Sequence, residues 1–141
     1  MRNHFFKLLC SAVFLSPVVA QAELELSDAW VRAVPPVSKT TAAYFTLTNQ
    51  GEEEIILSGA AADFAGATEL HDMSMHEGKR SMRHIESLPL APGESVTFGS
   101  GGLHVMLFGL KRVPAQGEQV TLCLQFVERD ALCAPFDVRT E

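Results

Sequence analysis

Short runs of strand-forming residues, separated by turn residues, constrain this sequence more than any other feature. Runs rich in β-branched and aromatic residues recur roughly every eight to twelve positions, with Gly, Asn or Pro between them. Residues 41–48 (TAAYFTLT) are the clearest run, and Asn49-Gln50-Gly51 closes it. Beyond a possible short turn at residues 60–65, no segment has the apolar period of an amphipathic helix. The pattern predicts an all-β domain, either a sandwich or a barrel.

Strand boundaries follow from the same pattern. Pro135 lies inside the last run, and proline is found mainly on edge strands, so we expect that strand to be an edge. The predicted strands cover residues 24–34, 41–48, 54–58, 68–75, 82–87, 95–98, 103–108, 119–127 and 131–138.

The first 22 residues have the composition of an export signal. A basic start precedes an apolar stretch of about a dozen residues, too short to span a bilayer. Ala20-Gln21-Ala22 then offers the small-x-small pattern that signal peptidase accepts. We expect residues 1–22 to be a cleaved signal peptide and 23–141 to be a single exported domain, without stable membrane insertion. Cys10 follows a leucine where a lipoprotein signal needs a small residue, so we do not expect a lipid anchor.

The charge of the predicted domain excludes one class of partner. Removing residues 1–22 takes away two of the 11 Lys and Arg residues and no carboxylate, so the formal net charge falls from −6 to −8. Nucleic-acid binding needs clustered cations, and we therefore expect no nucleic-acid partner. The overall charge favours metal cations and basic partner surfaces. We expect a monomer.

Two cysteines remain in the predicted domain. Cys123 and Cys133 lie five residues on either side of residue 128, where the last two strands turn. They can face each other across that hairpin, and an exported protein with two cysteines most simply forms one disulfide. We expect a structural bond, because there is no Cys-x-x-Cys motif.

Histidines and methionines cluster in the middle of the chain. All four methionines of residues 23–141 lie between positions 73 and 106, and the four histidines fall in nearly the same stretch. His104 and Met106 are two apart in a predicted strand, so they share one face. His71 lies in a second strand with Met73 on its face, and Met82 lies on the return strand. The periodicity leaves open whether Met82 or Met73 completes a site with His71.

The chemistry of these side chains favours copper(I). Imidazole and thioether ligands suit a soft monovalent ion, whereas zinc sites rarely use thioether. Four neutral ligands leave only the single charge of the ion, which is less costly to hold in a region of low dielectric constant. No nucleophile–base pair, phosphate-binding loop or carboxylate dyad stands out, so we do not expect an enzyme.

The motifs around these residues resemble the PCuAC family of periplasmic copper chaperones. The spacing of His71, Met82, His104 and Met106 is similar to the family's metal-binding signature. The resemblance extends over the whole predicted domain. Its matching segments are Ala29-Trp30-Val31-Arg32 with Pro35-Pro36, Ala43-Tyr44-Phe45-Thr46-Leu47-Thr48-Asn49, Glu69-Leu70-His71-Asp72-Met73 and Gly101-Gly102-Leu103-His104-Val105-Met106-Leu107.

The resemblance implies a fold, a cargo and a location. It implies a cupredoxin-like, Greek-key β-sandwich that binds one Cu(I) in the periplasm through His71, Met82, His104 and Met106, with Met73 as a possible auxiliary ligand. It implies delivery towards the copper A site of cytochrome c oxidase, directly or with a Sco-type protein. Two alternatives stay open: a periplasmic copper buffer for resistance, which would have the same ligands, and a non-metal β-sandwich interaction module.

Overall fold

The computed structural model describes residues 23–141, and the predicted signal peptide lies outside these residues. Within them the chain forms ten β-strands and no helix, so no helix there is long and apolar enough to cross a membrane. The strands are β1 (Leu24–Arg32), β2 (Thr40–Asn49), β3 (Ile55–Ala61), β4 (Ala67–His76), β5 (Lys79–Ile85), β6 (Leu88–Leu90), β7 (Ser95–Phe98), β8 (His104–Phe108), β9 (Gln119–Phe126) and β10 (Arg129–Arg139).

Hydrogen bonds connect the strands in the order β5-β4-β8-β2-β1-β10-β9-β3-β6, and β7 also pairs with β2. The pair β1–β10 is parallel, and every other pair is antiparallel. The β5-to-β1 half and the β10-to-β6 half pack against each other, because one buried apolar cluster takes side chains from both. Phe45, Leu70 and Val105 come from the first half, and Leu124 and Phe136 from the second. The prediction of an all-β sandwich is confirmed.

A β-bulge in β1 changes which side chains face the core. Ser27 pairs with Thr46 and Trp30 with Tyr44, so β1 advances three residues while β2 advances two. Asp28 takes up the extra residue with a φ of 47°. The bulge reverses the alternation of β1 and turns Trp30 to the face opposite the core.

Nine of the ten strands correspond to predicted ones. The short strand β6 was missed, since its three residues include a proline that reads as a loop. The prediction that the last strand is an edge was wrong: β10 lies between β1 and β9. Pro135 is tolerated because the pairing with β1 starts only at Asp137, so β10 has a single neighbour at Pro135.

A disulfide links β9 and β10 within the final hairpin. Cys123 and Cys133 are directly opposite in the strand register, and their sulfur atoms are 2.03 Å apart. Leu122, Leu124 and Phe136 are fully buried in the same two strands. This hairpin is therefore held both by the core and by a covalent bond.

Candidate metal site

The histidines and methionines project from the side of the sheet that faces away from the core. In β4 and β8, Leu70 and Val105 are buried in the main core, while the flanking residues His71, His104 and Met106 point the other way. This side of β2, β4, β5 and β8 is called the outer face below. The backbone alternation thus separates the residues that stabilise the fold from those that can bind a ligand.

His71 occupies the centre of the outer face. It is directly opposite His104 on β8 and directly opposite His84 on β5. The ring centroids are 5.7 Å apart for His71 and His104 and 5.8 Å for His71 and His84. Met106 follows His104 on the same face, where Glu69 of β4 and Ala42 of β2 are its cross-strand partners.

Two further methionines come from the β4–β5 hairpin. Met73 and Met82 are direct cross-strand partners, two register pairs beyond His71 and His84. Directly paired residues of antiparallel strands project to the same face, so both thioethers share the outer face with His71. The side chain of Met82 is 51% exposed, although it is large and apolar.

An open pocket of about 580 Å³ lies on the outer face. Four of the five predicted ligand residues line it, namely Met73, Met82, His104 and Met106, and His71 is adjacent through its pairing with His104. Its lining contains two arginines and no carboxylate. The remaining lining residues are Arg32, Val34, Thr40, Thr41, Ala42, Tyr44, Arg80, Ser100 and Gly101.

His104 is fixed by the loop that precedes β8. Its side chain is 5% exposed, and its Nδ1 donates to the carbonyl oxygen of Gly102 at 2.8 Å. Gly101 has a φ of +82°, a conformation that glycine adopts without the cost of a Cβ. Because Nδ1 carries the proton, the lone pair of Nε2 is available as a metal ligand.

His71 is fixed by a carboxylate. Its Nε2 donates to Oε2 of Glu69 at 2.7 Å, and this hydrogen bond is the main cause that lowers the pKa of the Glu69 carboxyl below its usual range. Its Nδ1 is buried and has no hydrogen-bond partner among residues 23–141. A buried nitrogen without a partner is costly, and a metal ion in contact with it would remove that cost.

A small apolar cluster forms the floor of the pocket. Trp30, Ala42 and Tyr44 are buried together on the outer face, and Met106 packs against them. The Trp30 and Tyr44 rings are 4.6 Å apart, and Arg32 stacks over Tyr44 at 5.3 Å from the ring centroid. The bulge in β1 supplies this floor, since it turns Trp30 to the outer face. Met106 is thereby held from below by aromatic rings.

The arrangement favours a soft ligand set. Within the described part of the chain, no three His, Cys, Asp or Glu side chains come together as a metal site, so the three imidazoles alone do not form one. Any site of three or more ligands here needs thioether sulfur. Soft thioethers with imidazole select Cu(I) over divalent ions that prefer oxygen.

Sequence reasoning placed His84 beside Met82 on the return strand without a role, and it missed Arg32 and Arg80 as neighbours of the site. For Arg80 a signal existed: counting outwards from the turn at Glu77-Gly78 gives the register that places His84 opposite His71 and Arg80 opposite Met75. Arg32 had no such signal, because it reaches the pocket from a strand distant in sequence.

Comparison with solved structures defines the class of protein. The fold is that of PCuAC domains, with a TM-score of 0.71 to the copper-bound PCuAC domain from PmoF2, at 18% identity over 87% of this chain and 97% of that chain. Apo-DR1885 from Deinococcus radiodurans has a TM-score of 0.67 at 32% identity, covering 100% of this chain and 95% of that chain. The CuI form of DR1885 has a TM-score of 0.61 at 34% identity, covering 82% of this chain and 77% of that chain. The resemblance to PCuAC proteins and the cupredoxin-like fold are confirmed.

The family follows from the sequence match. Residues 24–138 match the family described as "Putative lipoprotein LpqE-like", and the chain belongs to this family. A curated relative, "Putative lipoprotein Lxx21020" of Leifsonia xyli subsp. xyli, is 31% identical over 104 residues, which is 73% of this chain. The match spans 61% of the length of that relative.

Proposed function

We propose that this protein is a Cu(I) chaperone that works outside the cytoplasm. It holds one Cu(I) with His71, Met82, His104 and Met106, and passes the ion to an acceptor protein. The copper-bound PCuAC domain and the CuI form of DR1885 support copper as the cargo. It is a carrier and not an enzyme.

One observation carries the proposal. Met73, Met82, His104 and Met106 line a single open pocket, and His71 lies directly across the strand ladder from His104. Two imidazoles and two or three thioethers on one face make a soft, neutral ligand set. The fold brings these soft side chains, which are tens of positions apart in sequence, to one pocket, and this supports a shared role as ligands over an incidental cluster.

The hydrogen bonds select the ligating nitrogens. His104 offers Nε2, because its Nδ1 donates to Gly102. His71 offers Nδ1, because its Nε2 donates to Glu69 and its Nδ1 is buried without a partner. Both imidazoles are thus held in a tautomer that leaves one nitrogen lone pair free.

Exposure of one ligand suits transfer. Met82 is 51% exposed, whereas His104 is 5% exposed. Ligands of an acceptor can enter from the open side of the pocket as the thioether of Met82 leaves, while His104 still holds the ion. Thioethers are flexible and uncharged, and they leave without taking up a proton.

The location and the acceptor follow from the resemblance. Relatives named as lipoproteins support an extracytoplasmic location, and cleavage after Ala22 would place the domain in the periplasm. The acceptor is the copper A site of cytochrome c oxidase, reached directly or through a Sco-type protein. A buffer would bind copper equally well but would not transfer it to that acceptor.

Anaerobic Cu(I) titration against a competing chelator tests the site. We expect one tightly bound Cu(I) per chain, and a loss of well over tenfold in affinity for His104→Ala and for Met106→Ala, since each removes a ligand. His76→Ala is the matched control: His76 is exposed beside the hairpin turn and does not line the pocket, so its affinity should equal that of the wild type. Wild-type affinity in both ligand variants would refute the ligand assignment.

Transfer is measured separately. Cu(I)-loaded protein is mixed with the purified copper A domain, and the metal content of both proteins is followed. Rapid transfer supports the chaperone role; tight binding without transfer to the copper A domain or to a Sco-type protein supports the buffer.

A further inference from the structure

The β4–β5 hairpin extends beyond the part of the sheet that covers the core. Every residue from 75 to 84 is exposed, on both faces of the hairpin. Met75 is 63% exposed and lies two register pairs beyond Met73 and Met82, on the same face and opposite Arg80. Two of the four exposed large apolar side chains of the described residues, Met75 and Met82, are therefore on this one hairpin.

Unpaired positive charge is concentrated on the same hairpin. Four arginines of residues 23–141, none of them on β5, form ion pairs with carboxylates within 4.0 Å. Lys79, Arg80 and Arg83 form none, and all three lie on β5, which contains no Asp or Glu. Asp72 is opposite Arg83 in the register and Glu77 is in the turn, but neither forms an ion pair with these cations. A protein of strongly negative net charge thus presents a local basic surface.

This basic surface continues into the pocket. The lining of the pocket includes Arg80 and Arg32 and no carboxylate; within residues 23–141 Arg80 has no ion pair, and Arg32 pairs with Glu141 outside the lining. Met82 and Arg80 therefore border the candidate copper site directly.

Lys79 and Arg83 pair with His76 and Asp72, so they project to the other face of the same two-stranded hairpin and add to its charge from there. We call Met75, Lys79, Arg80, Met82 and Arg83 the hairpin patch.

We propose that the hairpin patch is the docking surface for an acceptor protein whose copper ligands are surrounded by carboxylates. The inference rests on the proposed copper-transfer function and names the chemistry of its partner. The cations steer an acidic surface towards the pocket, and Met75 packs against the apolar rim of the acceptor beside the exposed Met82. The overall negative charge predicted a basic partner, whereas the local charge at the pocket predicts an acidic one.

A protein partner explains the patch better than a membrane does. Binding to anionic lipid needs about four to eight cations and aromatic or leucine side chains that enter the interface. The hairpin patch has three cations and no aromatic residue. The remaining surface is strongly acidic, so an extended anionic membrane would repel it, while a small acidic patch on a protein would not.

Two synthetic peptides test the charge preference without copper. They share one Met/His sequence and differ only in their flanks, which are Asp/Glu-rich in one and Lys-rich in the other. Added to the isotopically labelled apo domain, the acidic peptide should shift the backbone amide signals of residues 72–84, and the basic peptide should not. Equal shifts with both peptides, or shifts confined to other regions, would overturn the docking surface.

Cu(I) transfer to the same peptides tests whether this charge preference controls the rate of transfer. At low ionic strength, the acidic peptide should accept copper roughly tenfold faster than the basic one, and added salt should reduce this ratio. Arg80→Glu should abolish the preference, while Lys111→Glu, an identical change of charge away from the pocket lining, should retain it. If both variants lose it equally, net charge and not the hairpin patch controls docking, and the proposal is wrong.

Two further arms separate the remaining explanations. Met75→Ala should slow transfer several-fold without changing Cu(I) affinity, and Val127→Ala, which alters an exposed apolar residue on another hairpin, should change neither. Anionic phosphatidylglycerol vesicles should not shift the signals of residues 72–84; shifts with vesicles but not with the acidic peptide would replace the protein partner by a membrane. Because the peptide titration needs no copper, loss of Cu(I) binding would refute the metal site separately from the docking surface.

Discussion

Two hairpins of this protein share a backbone plan and differ in almost everything else. Both β4–β5 and β9–β10 are antiparallel and turn through a glutamate with positive φ, 49° at Glu77 and 53° at Glu128. In the β9–β10 hairpin, exposed or half-buried side chains alternate with buried ones along β9 and at the end of β10, and the Cys123–Cys133 disulfide links the two strands. The β4–β5 hairpin is mostly exposed from Met75 onwards and carries thioethers, imidazoles and unpaired cations.

The difference separates stability from function. The β9–β10 hairpin contributes side chains to the core, and its disulfide lies within the half of the sandwich away from the pocket. The β4–β5 hairpin lies at one end of the strand order, and most of its thioethers, imidazoles and cations are exposed to solvent and to partners. Changes to the first should therefore alter folding, and changes to the second should alter copper binding and transfer.

The largest effect is expected from removing the disulfide. Cys123→Ser with Cys133→Ser should lower the free energy of unfolding by about 3 kcal/mol, because the unfolded chain regains the entropy of an open loop of about ten residues. Chemical denaturation of the folded variant measures this loss. Cu(I) affinity should stay at the wild-type value; a large loss of affinity in a folded variant would contradict the separation of the two hairpins.

A smaller effect is expected from removing the carboxylate that fixes His71. Glu69→Gln should weaken Cu(I) binding by about tenfold, because residues that orient a metal-bound histidine typically contribute this much. Chelator competition measures it, and NMR of the imidazole nitrogens should show that His71 no longer favours the tautomer with its proton on Nε2. Glu86→Gln, which removes an exposed carboxylate next to β5, is the control. An unchanged tautomer in Glu69→Gln would refute the positioning role.

The smallest effect is expected at Met73. Met73→Leu should weaken Cu(I) binding by no more than about threefold, whereas Met82→Leu should weaken it by well over tenfold. Leucine keeps the apolar volume and removes only the sulfur. The two side chains face each other across the same register pair, so a reversed order of the two losses would make Met73 the ligand and Met82 the auxiliary residue.

Local pattern was sufficient for much of the fold. Alternation and turn residues placed nine strands to within a few residues, because most of these strands have one buried face and a turn at the end. The strand β5 is exposed on both faces, and the turn before it was its main signal. The same alternation put His104 and Met106 on one face. The short strand Leu88–Leu90 escaped, since three residues carry no period.

Other features depended on neighbours that the sequence does not reveal. The position of β10 inside the sheet follows from its parallel pairing with β1, a contact between the two ends of the described chain. The orientation of Trp30 follows from the bulge at Asp28, which reverses the alternation that a regular strand would have. Neither is encoded in a short window of residues.

The sequence by itself determined the all-β class, the cysteine pairing across the last turn and the soft character of the His/Met cluster, because these depend on local period, spacing and ligand chemistry. Only the tertiary structure decided that His71 lies opposite His104 and that Arg32 and Arg80 line a pocket without carboxylates. Those facts depend on which strands become neighbours. Strand pairing is fixed by burial of the shared core and not by the residues of the outer face.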